Sequence, residues 1–495
     1  MKRANINTSS LIFLFVLWLF IFTSFSTIEA RKYHTKKSRM HKSKEHNQND
    51  PPNGVNSPLT PEPAYPTQST FFSILSFGAK ANGVSDDSKV KEDCSLYTRT
   101  CKQMNAFLRE ILISSVKQAL LAAWKSACKF TGGVVEIPKD YKFLIKPVTL
   151  QGPCLPNLVL QIDGTILAPP KIGSWPKSSL YQWINFKWLD NFTIRGSGTA
   201  DGQGSNWWSS SQLNQKKKAK KVPDMKPTAL RFYESYSITV RDIRIINSPL
   251  CHLKFDNSKG VKVDNVTISA PESSPNTDGI HLQNSQDVEI LHSNIGTGDD
   301  CVSIQVGCSN IHVHHINCGP GHGISLGGLG KDRSVACVSN IVVENIVMQS
   351  TLYGARIKTW QGGLGSVKNV SFSNIQVSEV KVPITIDQYY CDKNVCKNQT
   401  GAVAISGVKF NQIIGTYSVQ PIHLACSNSI PCTDVDLISI QLEPSPQCHG
   451  FQQALCWNSY GKSLGPLSPQ SMDYCVRSGS DFVKRIARSL DVSCW

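Results

Sequence analysis

From residue 71 onward, apolar and polar positions alternate in short bursts, and most bursts open on a polar or asparagine-bearing turn. Examples are Asn191-Phe192-Thr193-Ile194, Tyr236-Ser237-Ile238-Thr239-Val240, Gly260-Val261-Lys262-Val263, Asp287-Val288-Glu289-Ile290, Asn310-Ile311-His312-Val313, Asn340-Ile341-Val342-Val343 and Asn369-Val370-Ser371-Phe372. Alternation of period two sends successive side chains to opposite faces of a strand, with the apolar set on one of them. The bursts recur mostly at about 23 to 30 residues, a spacing that signals a solenoid. Most repeats carry a second short strand, as in Val263–Ile268 and Ile341–Val347. Several strands per turn with apolar residues facing inward predict an all-β parallel β-helix rather than a sandwich. One segment has a different period: in Lys117–Phe130, Leu120, Leu121, Trp124 and Ala127 fall at helical spacing and predict a short N-terminal capping helix. A solenoid needs both ends closed. At the far end the Cys-rich tail after Cys448 is the candidate.

The first 69 residues do not share this pattern. Lys2 and Arg3 precede an apolar run from Leu11 to Phe25, and Ile28-Glu29-Ala30 offers a small-residue exit, so residues 1–30 read as a secretory signal. Thr23, Ser24, Ser26 and Thr27 shorten the run below the roughly 20 apolar residues of a membrane span. Residues 31–69 are basic and then Pro-rich, and they cannot bury enough apolar surface to fold. His34, His41 and His46 belong to this solvated tail rather than to a metal set. The domain proper is expected over 70–495. Inside it, 90–116 interrupts the pattern and adds Cys94 and Cys101. It is either a helical insertion or translated non-coding sequence, and the ease with which Gly83–Lys89 would run into Ala119–Trp124 favours the second.

Seventeen cysteines suit an oxidising compartment. Their odd number leaves at least one without an intrachain partner. The close pairs Cys391/Cys396 and Cys426/Cys432 read as loop clips rather than metal ligands, and sequons at Asn191, Asn265, Asn369 and Asn398 fit the same compartment. The formal charge is +15, concentrated in Arg31–Lys44 and Lys216–Lys221. Such an excess suits nucleic acid, an anionic membrane or an acidic polysaccharide. The signal excludes nucleic acid, as does the lack of aromatic residues between Lys216 and Lys218. No second long apolar segment points to a membrane once the signal is removed. Acidic polysaccharide remains.

Four signatures then concentrate the chemistry: Asn276-Thr277-Asp278-Gly279, Gly298-Asp299-Asp300-Cys301, Gly321-His322-Gly323 and Arg356-Ile357-Lys358-Thr359. Paired carboxylates divide acid and base work at a glycosidic bond, and cations hold a substrate that carries carboxylates of its own. Asp278, Asp299-Asp300 and His322 are each about one repeat apart, so they are expected to form a column. Arg356 and Lys358 are two apart on a predicted strand and project from one face. Adjacent Asp299 and Asp300 would face opposite ways on a regular strand. Both serve one site only where the strand ends or bends, which Gly296 and Gly298 make feasible. Taken singly, the signatures have blander readings: a turn for Asn276–Gly279, and a solvated loop or calcium site for Asp299-Asp300, which the two cations would oppose. The glycine-rich run Gly319–Gly330 lacks dinucleotide and phosphate-loop spacing, and no serine elbow is present, so no cofactor is expected. His312 and His314 share a face, but no acidic or third ligand stands with them or His315 in sequence, so no metal is expected either.

Together the four signatures resemble the motifs of polygalacturonases, glycoside hydrolase family 28. The resemblance runs from about Phe71 to the Cys-rich end. It includes Asp201-Gly202-Gln203-Gly204-Ser205-Asn206-Trp207-Trp208, which is similar to the plant branch. It implies a right-handed, single-stranded parallel β-helix that hydrolyses α-1,4-linked galacturonan with inversion. By motif, Asp299 would be the general acid, Asp278 and Asp300 would activate water, and His322 would tune the acid. Arg356 and Lys358 would bind galacturonate carboxylates, Tyr390 after Gln388 matches the family's subsite tyrosine, and Asn276 joins the substrate contacts. The expected product is a secreted, monomeric, cofactor-free enzyme acting on pectin in the extracellular cell wall. The competing readings are a rhamnogalacturonan hydrolase of the same fold and a non-catalytic pectin-binding wall protein. The three intact aspartates argue against the last.

Overall fold

A computed structural model describes residues 70–86, 119–175, 182–213, 226–392, 396, 398–446, 450, 452–478 and 494, all within the compact unit Thr67–Trp495. The expected signal, the basic tail, the 90–116 interruption and Lys216–Lys221 lie outside the described residues.

The period-two alternation is realised as coils. One coil contains the strands Leu253–Asp256, Lys259–Asp264 and Thr267–Ser269, and the next contains Ile280–Gln283, Gln286–Leu291 and Asn294–Gly296. Each strand pairs in parallel with its counterpart one coil on, with Phe255 opposite Leu282, Val261 opposite Val288 and Ile268 opposite Ile295. Repetition builds a 20-stranded sheet and an 11-stranded sheet. The chain is a right-handed parallel β-helix, all-β apart from a few short helices.

The sharp bends between strands need a left-handed backbone, which Asn and Asp tolerate better than other residues with a side chain. Asn257 and Asn265, flanking Lys259–Asp264, have φ of 54° and 52°. At one bend these side chains also bond coil to coil. Asn310 donates to Asp287 (2.9 Å), Asn340 to Asn310 (3.0 Å) and Asn369 to Asn340 (2.8 Å). The turn residues that opened the bursts at Asp287, Asn310, Asn340 and Asn369 are thus a ladder.

Inward-facing side chains fill the solenoid in columns. Phe186, Phe232 and Phe255 stack face to face, with centroids 4.7 and 5.0 Å apart. The helix Ala119–Ala127 closes the N-terminal end as its periodicity predicted, burying Leu120 and Trp124, and Trp124 meets Phe192 edge-on at 5.3 Å. Leu121, expected on the same face, is only partly buried. At the C-terminal end the strand Ser459–Ser468 leads into a short 3-10 turn, Gln470–Tyr474, whose Met472 is fully buried. Six disulfides join described residues. Cys391–Cys396 and Cys426–Cys432 clip short loops, and Cys456–Cys475 and Cys337–Cys494 secure the C-terminal end. Cys251 and Cys308 are buried thiols. No helix among the described residues is long and apolar enough to cross a membrane.

Candidate active site

The 11-stranded sheet presents one outward residue per coil at each register position. Along one such line Arg231, Lys254, His281, Ser303, Ser325, Arg356, Thr385 and His423 follow one another. Their inward neighbours, among them Ile280, Val302, Ile324 and Ile357, are fully buried. The floor of the cleft is therefore set by strand pairing, while its chemistry changes at every step.

The aspartates and His322 stand just before three consecutive strands of this sheet, Ile280–Gln283, Val302–Ile304 and Ile324–Leu329. Backbone bonds lock these entry segments together: Gly279 N–H donates to the Asp300 carbonyl at 2.9 Å, and His322 N–H to the Asp299 carbonyl at 2.8 Å. Asp299 and Asp300 precede the strand in a bend, which lets neighbours serve one cleft. Gly298 makes the bend possible, because a Cβ there would lie 1.9 Å from the Ser274 carbonyl oxygen. The disulfide Cys301–Cys318 holds the next residue in place. A cleft of about 410 Å³ results. Asn276, Asp278, Asp299, Asp300, His322, Arg356, Lys358 and Tyr390, all named from sequence, line it.

Each carboxylate has its own partners. Asp299 Oδ1 lies 2.8 Å from His322 Nδ1, and Asn276 donates to its other oxygen at 3.3 Å. Asp300 accepts from Lys358 Nζ (2.9 Å) and Ser325 Oγ (2.6 Å), with Arg356 at 3.9 Å. Asp278 Oδ2 lies 2.7 Å from His281 Nδ1. Burial pushes the Asp278 carboxyl up, helped by the nearby charges of Asp299 and Asp300 and opposed by His281. Burial also raises Asp299, but the bond and charge of His322, with the charge of Lys358, outweigh it and hold Asp299 below the usual carboxylate range. Burial lowers Lys358, and the Asp300 carboxylate more than restores it. The cations are stacked against aromatic rings: the Arg356 guanidinium lies 3.9 Å from the Tyr353 ring centre, and Lys358 Nζ lies 5.6 Å from that of Tyr390.

Sequence reasoning missed His281, Ser325, Tyr353 and His252. The first two had a legible signal, since each is the outward residue of the strand that follows a motif. His252 had none. It is fully buried one coil away, its Nδ1 3.0 Å from the Asp278 carbonyl while Nε2 accepts from Ser248 N–H at 3.2 Å, and burial depresses its pKa to about 4. It braces the backbone beneath the site.

Comparison with known proteins agrees with this geometry. The family model for glycosyl hydrolases family 28 matches residues 129–457. A probable polygalacturonase of Arabidopsis thaliana is 36% identical over 428 residues, covering 86% of this chain and 88% of its own. A polygalacturonase of Persea americana is 41% identical over 347 residues, covering 68% and 74%. Among solved structures, a polygalacturonase from Erwinia carotovora aligns with a TM-score of 0.57 at 24% identity, over 72% of this chain and 93% of that one. An endo-xylogalacturonan hydrolase from Aspergillus tubingensis aligns with a TM-score of 0.62 at 20% identity, over 73% and 96%. At these identities the structures testify to the fold alone. Fold, motifs and relatives define a glycoside hydrolase. Within that class, the chain belongs to glycosyl hydrolases family 28.

Proposed function

We propose that this chain is a secreted polygalacturonase that cleaves α-1,4-galacturonosyl linkages of pectin by an inverting acid–base reaction in the extracellular cell wall. The observation that carries this reading is the cleft itself, where three carboxyl groups meet Arg356 and Lys358 on one wall. Asp299 donates the proton to the leaving oxygen, and Asp278 and Asp300 orient and deprotonate water on the opposite side of the sugar. Arg356 and Lys358, with Tyr390 and Asn276, hold a galacturonate beside the scissile bond. The six disulfides support passage through an oxidising compartment. The enzyme acts as a monomer without a cofactor.

Substrate charge completes the acid. In the free site His322 and Lys358 keep Asp299 low while burial raises Asp278, the reverse of the working distribution. A galacturonate carboxylate beside Lys358 and Arg356 cancels their field and adds negative charge, which raises Asp299. Asp299 can then hold the proton that it delivers to the leaving oxygen. The clustered carboxyls titrate as a unit, so activity follows a bell on the acidic side of neutrality.

Hydrolysis of de-esterified polygalacturonate, fully methyl-esterified pectin and rhamnogalacturonan should be compared, with the anomeric product followed by NMR. Fast release of the inverted product from the first alone is expected. A preference for rhamnogalacturonan would favour the rival enzyme, whose substrate is acidic only at alternate sugars. Retention of configuration would overturn the mechanism.

A further inference from the structure

The outward face of the 20-stranded sheet holds a histidine cluster that hydrolysis does not use. On the strand Ser309–Cys318, His312 and His314 project from one face, and their rings stack with centroids 4.2 Å apart. The preceding coil sets Glu289 opposite His312, and the following coil sets Glu344 opposite His314. This corrects the expectation that no acidic ligand accompanies these histidines. The acids come from neighbouring coils, where sequence proximity gives no hint of them.

We propose that Glu289, His312 and His314 form a surface site for a divalent transition metal such as Zn²⁺, with Glu344 at its edge. One ligand atom from each of the three lies within 4.8 Å of the others. Bonds of about 2.0–2.2 Å around a tetrahedral ion call for closer spacing, which small side-chain rotations supply. Imidazole and carboxylate donors suit zinc, copper or nickel rather than calcium. The partners already divide the donor atoms. Glu289 turns Oε2 to Lys262 at 3.1 Å and Oε1 to His314 Nε2 at 3.4 Å, so a metal can take Oε1 without displacing the lysine. His314 Nδ1 faces His315 Nδ1 at 2.8 Å. If His314 donates there, its Nε2 keeps a lone pair, the tautomer lock that metal-binding histidines use. His312 Nε2 lies 2.9 Å from Glu344 Oε1, which borders the site.

The test is calorimetric titration of the full chain, stripped with EDTA and desalted, with ZnCl₂, repeated for H314A and for the milder E289Q. Circular dichroism verifies that each variant is folded. One equivalent of Zn²⁺ should bind and raise the melting temperature. Losing a ligand should weaken binding by more than the about 10–100-fold that loss of an outer partner costs at metal sites. No Zn²⁺ binding to the unaltered chain would overturn the proposal. So would binding that both folded variants retain in full, since the ion would then sit elsewhere, for instance among Asp299, Asp300 and His322.

Discussion

Two outward faces of one solenoid carry the same kind of ion pair in opposite settings. On the long sheet Lys262 and Glu289 meet at 3.1 Å with about half of each side chain in water, at 47% and 41% exposure. In the cleft Lys358 and Asp300 meet at 2.9 Å with 9% and 2% exposed. The separations are nearly equal, although Lys262 and Glu289 face each other across adjacent strands while Asp300 lies in the bend before its strand. Solvent makes the difference. An exposed pair is screened and exchanges one set of hydrogen bonds for another. A buried pair has given up its hydration, so each partner depends on the other. The cleft face holds charge ready for a ligand, whereas the long face keeps its charges paired in water.

The largest expected effect belongs to the cleft. Asp299→Asn should lower polygalacturonate hydrolysis by about 10²–10⁴-fold, the worth of a general acid, with thermal unfolding little changed. Glu289→Gln, on the other face, should leave hydrolysis as it was. A normal rate for the first variant would remove Asp299 from the chemistry.

Next comes the buried pair itself. Lys358→Ala leaves Asp300 with Ser325 and the more distant Arg356 alone and should cost about 3 kcal/mol in urea unfolding. Lys262→Ala should cost less than about 1 kcal/mol. Replacing both members of the buried pair, as Lys358→Met with Asp300→Leu, should cost less stability than Lys358→Ala alone. Equal costs for Lys358→Ala and Lys262→Ala would erase the contrast between the faces.

A third test uses pH. His252 titrates near 6.5 when unfolded but near 4 when folded. Between those values the unfolded chain takes up a proton that the folded chain refuses. Stability from this residue is therefore full above about pH 6.5, falls as pH drops toward 4 and is constant below, a loss on the order of 3 kcal/mol at 1.36 kcal/mol per pH unit. Denaturant midpoints of His252→Gln should be flatter over that interval than those of the unaltered chain. Parallel curves would mean that His252 is not held neutral.

The smallest effect lies in the ladder. Asn340→Gly keeps the left-handed bend but loses the coil-to-coil bonds, for about 1 kcal/mol. Asn340→Ala should cost more, because its φ of 58° is strained for alanine.

Much of this was legible in the sequence because a solenoid repeats its rules. The alternation at Asn310–Val313 and Asn340–Val343 marks strands, and Leu120 and Trp124 mark the capping helix. The four motifs supplied the residues that converge in the cleft. What sequence could not supply is contact between coils. Ser325 bonds Asp300 and Glu289 faces His314 only because parallel pairing brings separate repeats together. Burial was equally hidden, and nothing near His252 in the chain foretells its depressed pKa. The odd cysteine count foretold unpaired sulfur but not that Cys251 lies close to Asp278.

The residues that face one another along the cleft floor, Ile280, Val302, Ile324 and Ala355, are separated by unequal lengths of chain. The surplus lies in longer strands, Ile324–Leu329 and Val335–Gln349 against Val302–Ile304 and Ser309–Cys318, and the stacking register survives. Lengthening such strands beyond their neighbours would raise a new bank beside the cleft without shifting the bed. In a lineage of such proteins, the range of polymers admitted can therefore drift by insertion and deletion while the bond-breaking groups stay in place.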